Sequence, residues 1–355
     1  MMSVASMLCP SSMQTTSVSI IIRIFIAVAV IRGAAAFSST PIHHPHSMRA
    51  NPRVFLSSSR HQVKRMHHQS QTAISAIHNS PTHPPPTNNN TVCIRILCLH
   101  GKGGNGKQFV NTSLLPLRSL VEKRVANGEE CCNNVSFQWE ALTAPYEIVP
   151  PGDNGKRQGD DTRGFSWWTM PPGVRSYNAK EYEGFEKSAA MVMEKVFPPE
   201  RNNQNKTDII LGHSQGAILT AALLSTHDEL WKSSSSRPLG YILNGAAYPN
   251  PYRNSLNSLT TQQQQCPETG DSLPLLPPRT LFVMGREDTI NPVESAMQVH
   301  DAFRAANFDA SIVNHAGGHS VPMGRDDDSV RALEEVVDWI VDIAKEKMRS
   351  LGNGI

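Results

Sequence analysis

The chain has 355 residues, with 33 lysines and arginines against 31 aspartates and glutamates, so its formal net charge of +2 is close to neutral. The excess of basic residues lies in the acid-free first part of the chain. The composition therefore predicts no basic patch of the nucleic-acid-binding kind on the folded part. The six cysteines show no repeated CxxC spacing and no cluster with histidine, so neither a disulfide framework nor a metal site is predicted.

The first 90 residues differ in composition from the rest, because the first acidic residue of the chain is Glu122. Residues 17–36 are apolar except for two arginines and end in three alanines, which is typical of a signal sequence and its cleavage site. The unbroken apolar run at 24–31 is shorter than the roughly 20 residues that cross a bilayer, so a retained anchor is the weaker alternative. We therefore expect a signal-like segment over 1–36 and no stable membrane span after processing.

Residues 37–90 are rich in Ser, Thr, Pro, Asn and His and contain no acid, a composition too polar to form a core. Basic, hydroxylated and acid-poor segments are typical of organelle transit peptides. Together with residues 1–36, they resemble by composition the two-part plastid presequence of algae with secondary plastids. We expect a plastid destination, with the secretory pathway and the cytoplasm as alternatives, and a folded domain over 91–350.

From residue 91 onward, short apolar runs rich in β-branched residues alternate with longer helical patterns. This alternation predicts an α/β fold with a mostly parallel central sheet flanked by helices on both faces. Two segments interrupt it: 145–178, a candidate cap over a pocket, and a polar loop at 254–278 that has the composition of a surface insertion. The predicted strands are 92–99, 135–142, 208–212, 240–243, 280–285 and 310–313, and the predicted helices are 108–124, 179–197, 215–226, 293–306 and 329–348.

A glycine-rich turn follows the first predicted strand. The spacing of Gly101, Gly106 and Lys107 is close to that of a phosphate-binding loop, but Gln108 stands where a Ser or Thr must hold magnesium. Loss of that metal ligand makes nucleotide binding the weaker interpretation. The alternative is a turn whose backbone N–H groups stabilise a developing negative charge on oxygen, with the N–H of Lys102 as the predicted donor.

The insert at 145–178 carries three neighbouring aromatic residues, Phe165, Trp167 and Trp168. Two roles are open for them, contact with a substrate or packing of the insert onto the core. Packing is the stronger interpretation, and all three are kept as possible substrate contacts.

The pentapeptide at 212–216, Gly-His-Ser-Gln-Gly, follows an apolar strand and precedes a helix. This is the context of a nucleophile elbow, a sharp turn that holds a serine hydroxyl exposed in a strained backbone conformation. The flanking glycines are needed because neighbouring chain packs closely around such a turn. Ser214 is therefore the predicted nucleophile, and the N–H of Gln215 is the predicted second donor to an oxyanion.

A serine hydroxyl needs a base to take its proton, and the base needs an acid to fix its tautomer. On this type of fold the acid and then the histidine follow the serine along the chain. Asp288 lies after a predicted strand and is the predicted acid, with Glu287 as its rival. His319, in a glycine-flexible loop after the last predicted strand, is the predicted base, with His315 as the alternative.

Taken together, these motifs resemble the fungal-type serine hydrolase family that includes the ovarian cancer-associated gene 2 esterases. The resemblance spans about residues 92–345, and it also includes the Trp pair and the run at 182–185 as the segment over the active site. It implies an α/β-hydrolase fold, a carboxylesterase acting on a small-molecule acyl ester without a cofactor, and an apolar acyl pocket. The motifs that carry it are 97–101, 105–107, 212–217, 285–288 and 317–319.

Three functions fit these residues. Hydrolysis of carboxylic esters through an acyl-enzyme is the leading hypothesis, and a thioesterase or lipid acyl hydrolase would use the same triad with a different pocket. A catalytically silent binding protein is the alternative of another class, since a fold does not determine a function. The complete set of nucleophile, acid, base and oxyanion donors favours an enzyme, while the acyl chain length and the oligomeric state stay open.

Overall fold

The computed structural model describes residues 91–127, 134–149, 163–198, 206–232, 237–264 and 277–352. The predicted signal-like segment, 1–36, and the transit-like segment, 37–90, lie outside the described residues, so both stay predictions. Within the described part of the chain, no helix combines the length and the apolar character that crossing a bilayer requires.

The central sheet contains six of the strands in the described ranges, all parallel, in the order β2-β1-β5-β6-β7-β8. β3 and β4 form a separate antiparallel pair inside the first insert. All six predicted strands are confirmed, and the apolar runs of the four inner strands are buried on both sides of the sheet, whereas the edge strands β2 and β8 are partly exposed. The strands are β1 (Val92–Leu99), β2 (Val135–Leu142), β3 (Tyr146–Ile148), β4 (Gly164–Ser166), β5 (Ile209–His213), β6 (Gly240–Asn244), β7 (Arg279–Gly285) and β8 (Asp309–His315).

Helices cover both faces of this sheet. Alternate residues of β1 point to opposite sides: Ile94, Ile96 and Cys98 pack in the apolar cluster that contains α2 and α7, whereas Leu97 and Leu99 pack with α3, α4, α5 and α6. This is the predicted α/β-hydrolase fold. The helices are α1 (Gly106–Gln108), α2 (Leu115–Ala126), α3 (Phe185–Val196), α4 (Gln215–Thr226), α5 (Arg253–Gln264), α6 (Val293–Ala305) and α7 (Asp327–Ser350).

The predicted helix at 108–124 is interrupted. A π-helical turn, Phe109–Ser113, separates α1 from α2, and the N–H of Leu114 donates to the carbonyl oxygen of Phe109 at 2.9 Å. Pro116 has no N–H with which to continue the regular helical ladder, so a new helix starts there with the proline in its first turn.

The predicted helix at 179–197 starts later than expected, at Phe185. Gly184, the residue before it, has a φ of 83°, which ends any regular helix on its N-terminal side. The Tyr146 hydroxyl from β3 donates to the Gly184 carbonyl oxygen at 3.1 Å. The start of α3 therefore depends on contact with the first insert.

The prediction of a polar loop over 254–278 is wrong for its first part, where α5 covers Arg253–Gln264. Leu256 and Leu259 of this helix are fully buried against the core. Two apolar residues on one side of a short polar helix are enough to dock it, although they give only a weak helical pattern in the sequence.

Candidate active site

Ser214 lies in the turn between β5 and α4. Its backbone has φ 53° and ψ −115°, a conformation that residues other than glycine seldom adopt. A Cβ on Gly216 would lie 2.3 Å from the carbonyl oxygen of Leu99, and a Cβ on Gly212 would lie 2.5 Å from that of Gly216. Only glycine fits at these two positions, so the strand, turn and helix of a nucleophile elbow are present with Ser214 at its apex.

His319 lies between Ser214 and Asp288. Its Nε2 is 2.6 Å from the Ser214 Oγ, and its Nδ1 is 2.6 Å from the Asp288 Oδ2. Because Nδ1 donates its proton to the carboxylate, Nε2 is the nitrogen that accepts from the serine. Asp288 follows β7 and His319 follows β8, so the parallel topology brings the three side chains to one edge of the sheet.

The second carboxylate oxygen of Asp288 is also bonded. Oδ1 accepts hydrogen bonds of 2.8 Å from the backbone N–H groups of Ile290 and Asn291. The Asn291 side chain donates to the Gly245 carbonyl oxygen at 2.7 Å and so joins this loop to the one after β6. These contacts fix the plane of the carboxylate that faces His319.

Gly245 lies against the His319 ring and was not identified from the sequence. Its φ is 58°, and a Cβ at this position would lie 3.2 Å from both Cε1 and Nδ1 of the imidazole. The only sequence signal was an Asn-Gly pair after an apolar strand, which indicates a turn but no contact. Asn291 was missed as well, because its role depends on the loop geometry.

The alternatives for acid and base, Glu287 and His315, lie outside this hydrogen-bond chain. The Glu287 side chain is exposed, and its backbone N–H donates to the Gly317 carbonyl oxygen at 3.2 Å. His315 is buried at the end of β8, where desolvation lowers its pKa. Its carbonyl oxygen accepts from the N–H of Arg286 at 2.8 Å. Both residues therefore connect the loops that carry Asp288 and His319.

The glycine-rich turn after β1 has most of its N–H groups committed to the protein. Gly103 donates to Phe165, Gly104 to Gly101, and Gly106 to the Thr143 hydroxyl, at 2.8 to 3.1 Å. The N–H of Gln108 donates to the Asn105 side chain at 2.8 Å. A phosphate cradle needs these donors free, so the turn does not form one.

The two predicted oxyanion donors lie near Ser214: Gln215 follows it in the chain, and a Cβ on Gly101, the residue before Lys102, would lie 3.1 Å from the Ser214 Cβ. Among the hydrogen bonds of the described ranges, neither the N–H of Lys102 nor that of Gln215 has an acceptor in the protein. Gln215 is the first residue of α4, where a helix leaves its N–H groups unpaired. The side chain of Lys102 is exposed, so only its backbone is available to the site.

His100 braces the turn that carries Lys102. Its Nδ1 donates to the carbonyl oxygen of Gly101 at 2.7 Å, and its Nε2 accepts from the N–H of Ala144 at 3.0 Å. Burial lowers the pKa of His100, which keeps the ring neutral and able to accept at Nε2. His100 therefore has a structural contact on each nitrogen.

Trp167 and Trp168 are fully buried, with no exposed surface. The Trp167 indole donates to the carbonyl oxygen of His100 at 2.7 Å, and Trp168 stacks on Tyr182 with ring centroids 4.2 Å apart. Packing of the insert onto the core, the stronger interpretation from sequence, is therefore confirmed for both tryptophans, and the possible substrate contact is wrong for them. Phe165 is half-buried, and its backbone pairs with Gly104 of the glycine-rich turn.

The side chain of Gln215 connects the elbow to this insert, a role the sequence did not reveal. Its Oε1 accepts from the N–H of Trp167 at 2.8 Å, and its Nε2 donates to the carbonyl oxygen of Trp168 at 3.2 Å. Gln215, whose backbone N–H is a predicted oxyanion donor, is thus held in place by the backbone of Trp167 and Trp168.

Two cavities meet beside the elbow. The base-loop cavity, about 410 Å³, lies between the π-helical turn and the loop of His319. The oxyanion-loop cavity, about 320 Å³, runs along the turn that carries Lys102. Ser113 and His213 line both. Within the described residues, no group of three or more His, Cys, Asp or Glu side chains is arranged to hold a metal ion.

The chain is similar in sequence and in chain path to several known proteins. The Danio rerio protein named Esterase OVCA2 is 27% identical over 245 residues, which are 65% of this chain and 91% of that protein. Crystal structures with a similar chain path include Arabidopsis thaliana SOBER1, at 18% identity and a TM-score of 0.45, covering 71% of this chain and 100% of that one. Zea mays acyl-protein thioesterase 2 has the same identity and TM-score, covering 72% of this chain and 95% of that one.

A match to the family described as serine hydrolase (FSH1) covers residues 90–331. This range is more than half of the chain, and it includes Ser214, Asp288 and His319. The chain therefore belongs to the FSH1 family of serine hydrolases.

Proposed function

We propose that this protein hydrolyses carboxylic esters through an acyl-enzyme formed on Ser214, with His319 as the general base and Asp288 as the residue that orients it. The observation that carries the proposal is the continuous hydrogen-bond chain, with 2.6 Å between Ser214 and His319 and 2.6 Å between His319 and Asp288. The name of the zebrafish relative, an esterase, supports the same reaction class.

In the first half of the reaction, the His319 Nε2 takes the Ser214 proton while Oγ attacks the ester carbonyl carbon. The N–H groups of Lys102 and Gln215 stabilise the oxyanion of the tetrahedral intermediate. When the intermediate collapses, the bond to the alcohol oxygen breaks and His319 returns its proton to that oxygen. The acyl group is then bound to Ser214 as an ester.

In the second half, a water takes the place of the alcohol. His319 removes a proton from this water, which attacks the acyl carbon, and the Ser214 oxygen leaves with the proton that His319 carries. The Asp288 carboxylate accepts the Nδ1 hydrogen bond and stabilises the imidazolium that forms twice in each turnover. The free acid and the regenerated serine are the products.

The test is hydrolysis of p-nitrophenyl esters, from acetyl to palmitoyl, by the full-length chain and its Ser214→Ala variant. We expect turnover by the wild type and a loss of at least about a thousandfold in kcat in the variant, because the nucleophile is removed while the oxyanion donors remain. A Ser119→Ala variant, altered at an exposed position of α2, serves as the matched control. Equal rates in wild type and Ser214→Ala would contradict the proposal.

A further inference from the structure

We propose that Ser113 and His213 form a specificity site for the acyl half of the substrate, and that they select acyl groups carrying an oxygen acceptor, such as alkoxy, hydroxy or oxo groups, near the ester carbonyl. This inference rests on the proposed ester hydrolysis and names its substrate class.

The first support is the position of the two residues. They are the residues common to the base-loop cavity and the oxyanion-loop cavity, so they lie where the two cavities meet. His213 is the chain neighbour of Ser214, and its ring centroid lies 5.2 Å from that of His319. A Cβ on Gly101 would be 3.0 Å from His213 Cδ2 and 3.5 Å from Nε2, so this edge of the ring faces the oxyanion turn.

The second support is that the His213 ring is held from its other side. The Asn244 amide nitrogen lies 2.7 Å from Nδ1, and the ring stacks on Phe109 with centroids 5.8 Å apart. Because an amide NH₂ group only donates, Nδ1 accepts this hydrogen bond and Nε2 carries the proton. Burial, together with the neighbouring His319, lowers the pKa of His213 to about 3. The ring is therefore a neutral donor throughout the pH range in which His319 works as a base.

The acyl half of the substrate is placed in the oxyanion-loop cavity for a third reason, the position of the His319 loop. The alcohol oxygen must reach the His319 Nε2 to receive its proton, so the alcohol half lies on the side of the His319 loop. The oxyanion-loop cavity is lined by none of the residues of that loop and, within the described chain, by no carboxylate. Of its polar side chains, Lys102 and Gln108 are exposed to solvent, whereas Ser113 and His213 are half-buried where the two cavities meet. An alkyl chain placed against Ser113 and His213 leaves these two donors unpaired, whereas an acyl oxygen accepts from them.

The experiment compares two esters of equal length, p-nitrophenyl butyrate and p-nitrophenyl methoxyacetate, which differ by an ether oxygen in place of one CH₂. For the full-length wild type, Ser113→Ala, His213→Phe and the control Ser119→Ala, kcat/KM is measured on both esters. The quantity of interest is the methoxyacetate-to-butyrate ratio of each variant divided by that of the wild type, because the intrinsic reactivity of the esters cancels in this quotient.

We expect the ratio to fall about fivefold in Ser113→Ala and in His213→Phe, the effect of one lost hydrogen bond, and to stay within twofold in Ser119→Ala. His213→Phe keeps a ring for the stack on Phe109. Because Ser113→Ala removes only a hydroxyl, it decides the question if His213→Phe does not fold. If the methoxyacetate-to-butyrate ratio is unchanged in the folded variants, this inference is overturned. Hydrolysis of the esters by the wild type would still support the proposed function in that case. Absence of hydrolysis of both esters by the wild type overturns the two together.

Discussion

Gly245 lies so close to the His319 ring that one added carbon would displace the base. In Gly245→Ala the new Cβ would lie 3.2 Å from two ring atoms, at a φ of 58° that disfavours alanine. We expect kcat on p-nitrophenyl butyrate to fall at least about tenfold, because small errors in the position of a catalytic group have large effects on rate.

Gly173→Ala is the matched control for this change. Gly173 also has a positive φ, 79°, but a Cβ there meets no atom within 4 Å. The control therefore carries the backbone strain of about 1 kcal/mol without the contact on the base. Equal losses of kcat in the two variants would show that strain, and not the position of His319, limits the rate.

Among the helices, α7 contributes Asp328, which joins the loop that carries Asp288 to the loop that carries His319. Its Oδ2 accepts from the Arg286 guanidinium at 2.9 Å and from the backbone N–H of Ala316. Arg286 shortly precedes Asp288, and Ala316 shortly precedes His319. Hydrogen bonds to Arg286 and Ala316 also lower the pKa of the Asp328 carboxyl. Asp328 is thus a positioning residue that acts through both loops.

We expect Asp328→Asn to lower kcat about three- to tenfold with a smaller change in KM, because a neutral amide replaces the charge-assisted hydrogen bonds of the carboxylate. Asp338→Asn is the control, since Asp338 lies further along α7, away from the site, and pairs with Arg124 of α2. Steady-state kinetics of both variants on one ester provide the comparison. A similar decrease in the control would rule out a specific role of Asp328.

The approach of Ser214, Asp288 and His319 to one another could be predicted from sequence because each has a local signal. The elbow has its glycines at fixed spacing around Ser214, and Asp288 and His319 each follow an apolar run that ends in a turn. In a parallel sheet, the carboxyl ends of such runs meet at one edge. Local pattern and topology together therefore determine these positions without any knowledge of packing.

The remaining features depend on contacts between distant parts of the chain. Aromatic residues in an insert look alike whether they face a pocket or the core, so the burial of Trp167 and Trp168 could not be read from their type. Gly245 and Asp328 act through loops whose approach depends on the whole sheet. The helix α5 was missed because Leu256 and Leu259, both buried, are the only apolar residues in its sequence.

For the molecule as a whole, buried histidines predict how stability varies with pH. Burial lowers the pKa of His100, His213 and His315 from the ordinary value of 6.5, that of His213 to about 3. Below about pH 6.5 the unfolded chain therefore binds more protons than the folded one, and the free energy of unfolding decreases as the pH falls. For His213 this loss continues down to its folded pKa of about 3.

We expect the urea midpoint of the wild type to be lower at pH 5 than at pH 7, and the difference to be smaller in His213→Phe, which lacks one of these groups. Chemical denaturation followed by fluorescence measures both. An equal or larger difference in His213→Phe would contradict burial of a neutral ring at this position.

Covalent labelling identifies the nucleophile of this serine hydrolase, which we propose is Ser214. The full-length chain is treated with a fluorophosphonate, and the modified residue is located by peptide mass spectrometry. We expect one adduct per chain, on Ser214, no adduct in Ser214→Ala, and much slower labelling in His319→Ala because the proposed base is missing. An unlabelled wild type, or an adduct on a different residue, would contradict this proposal.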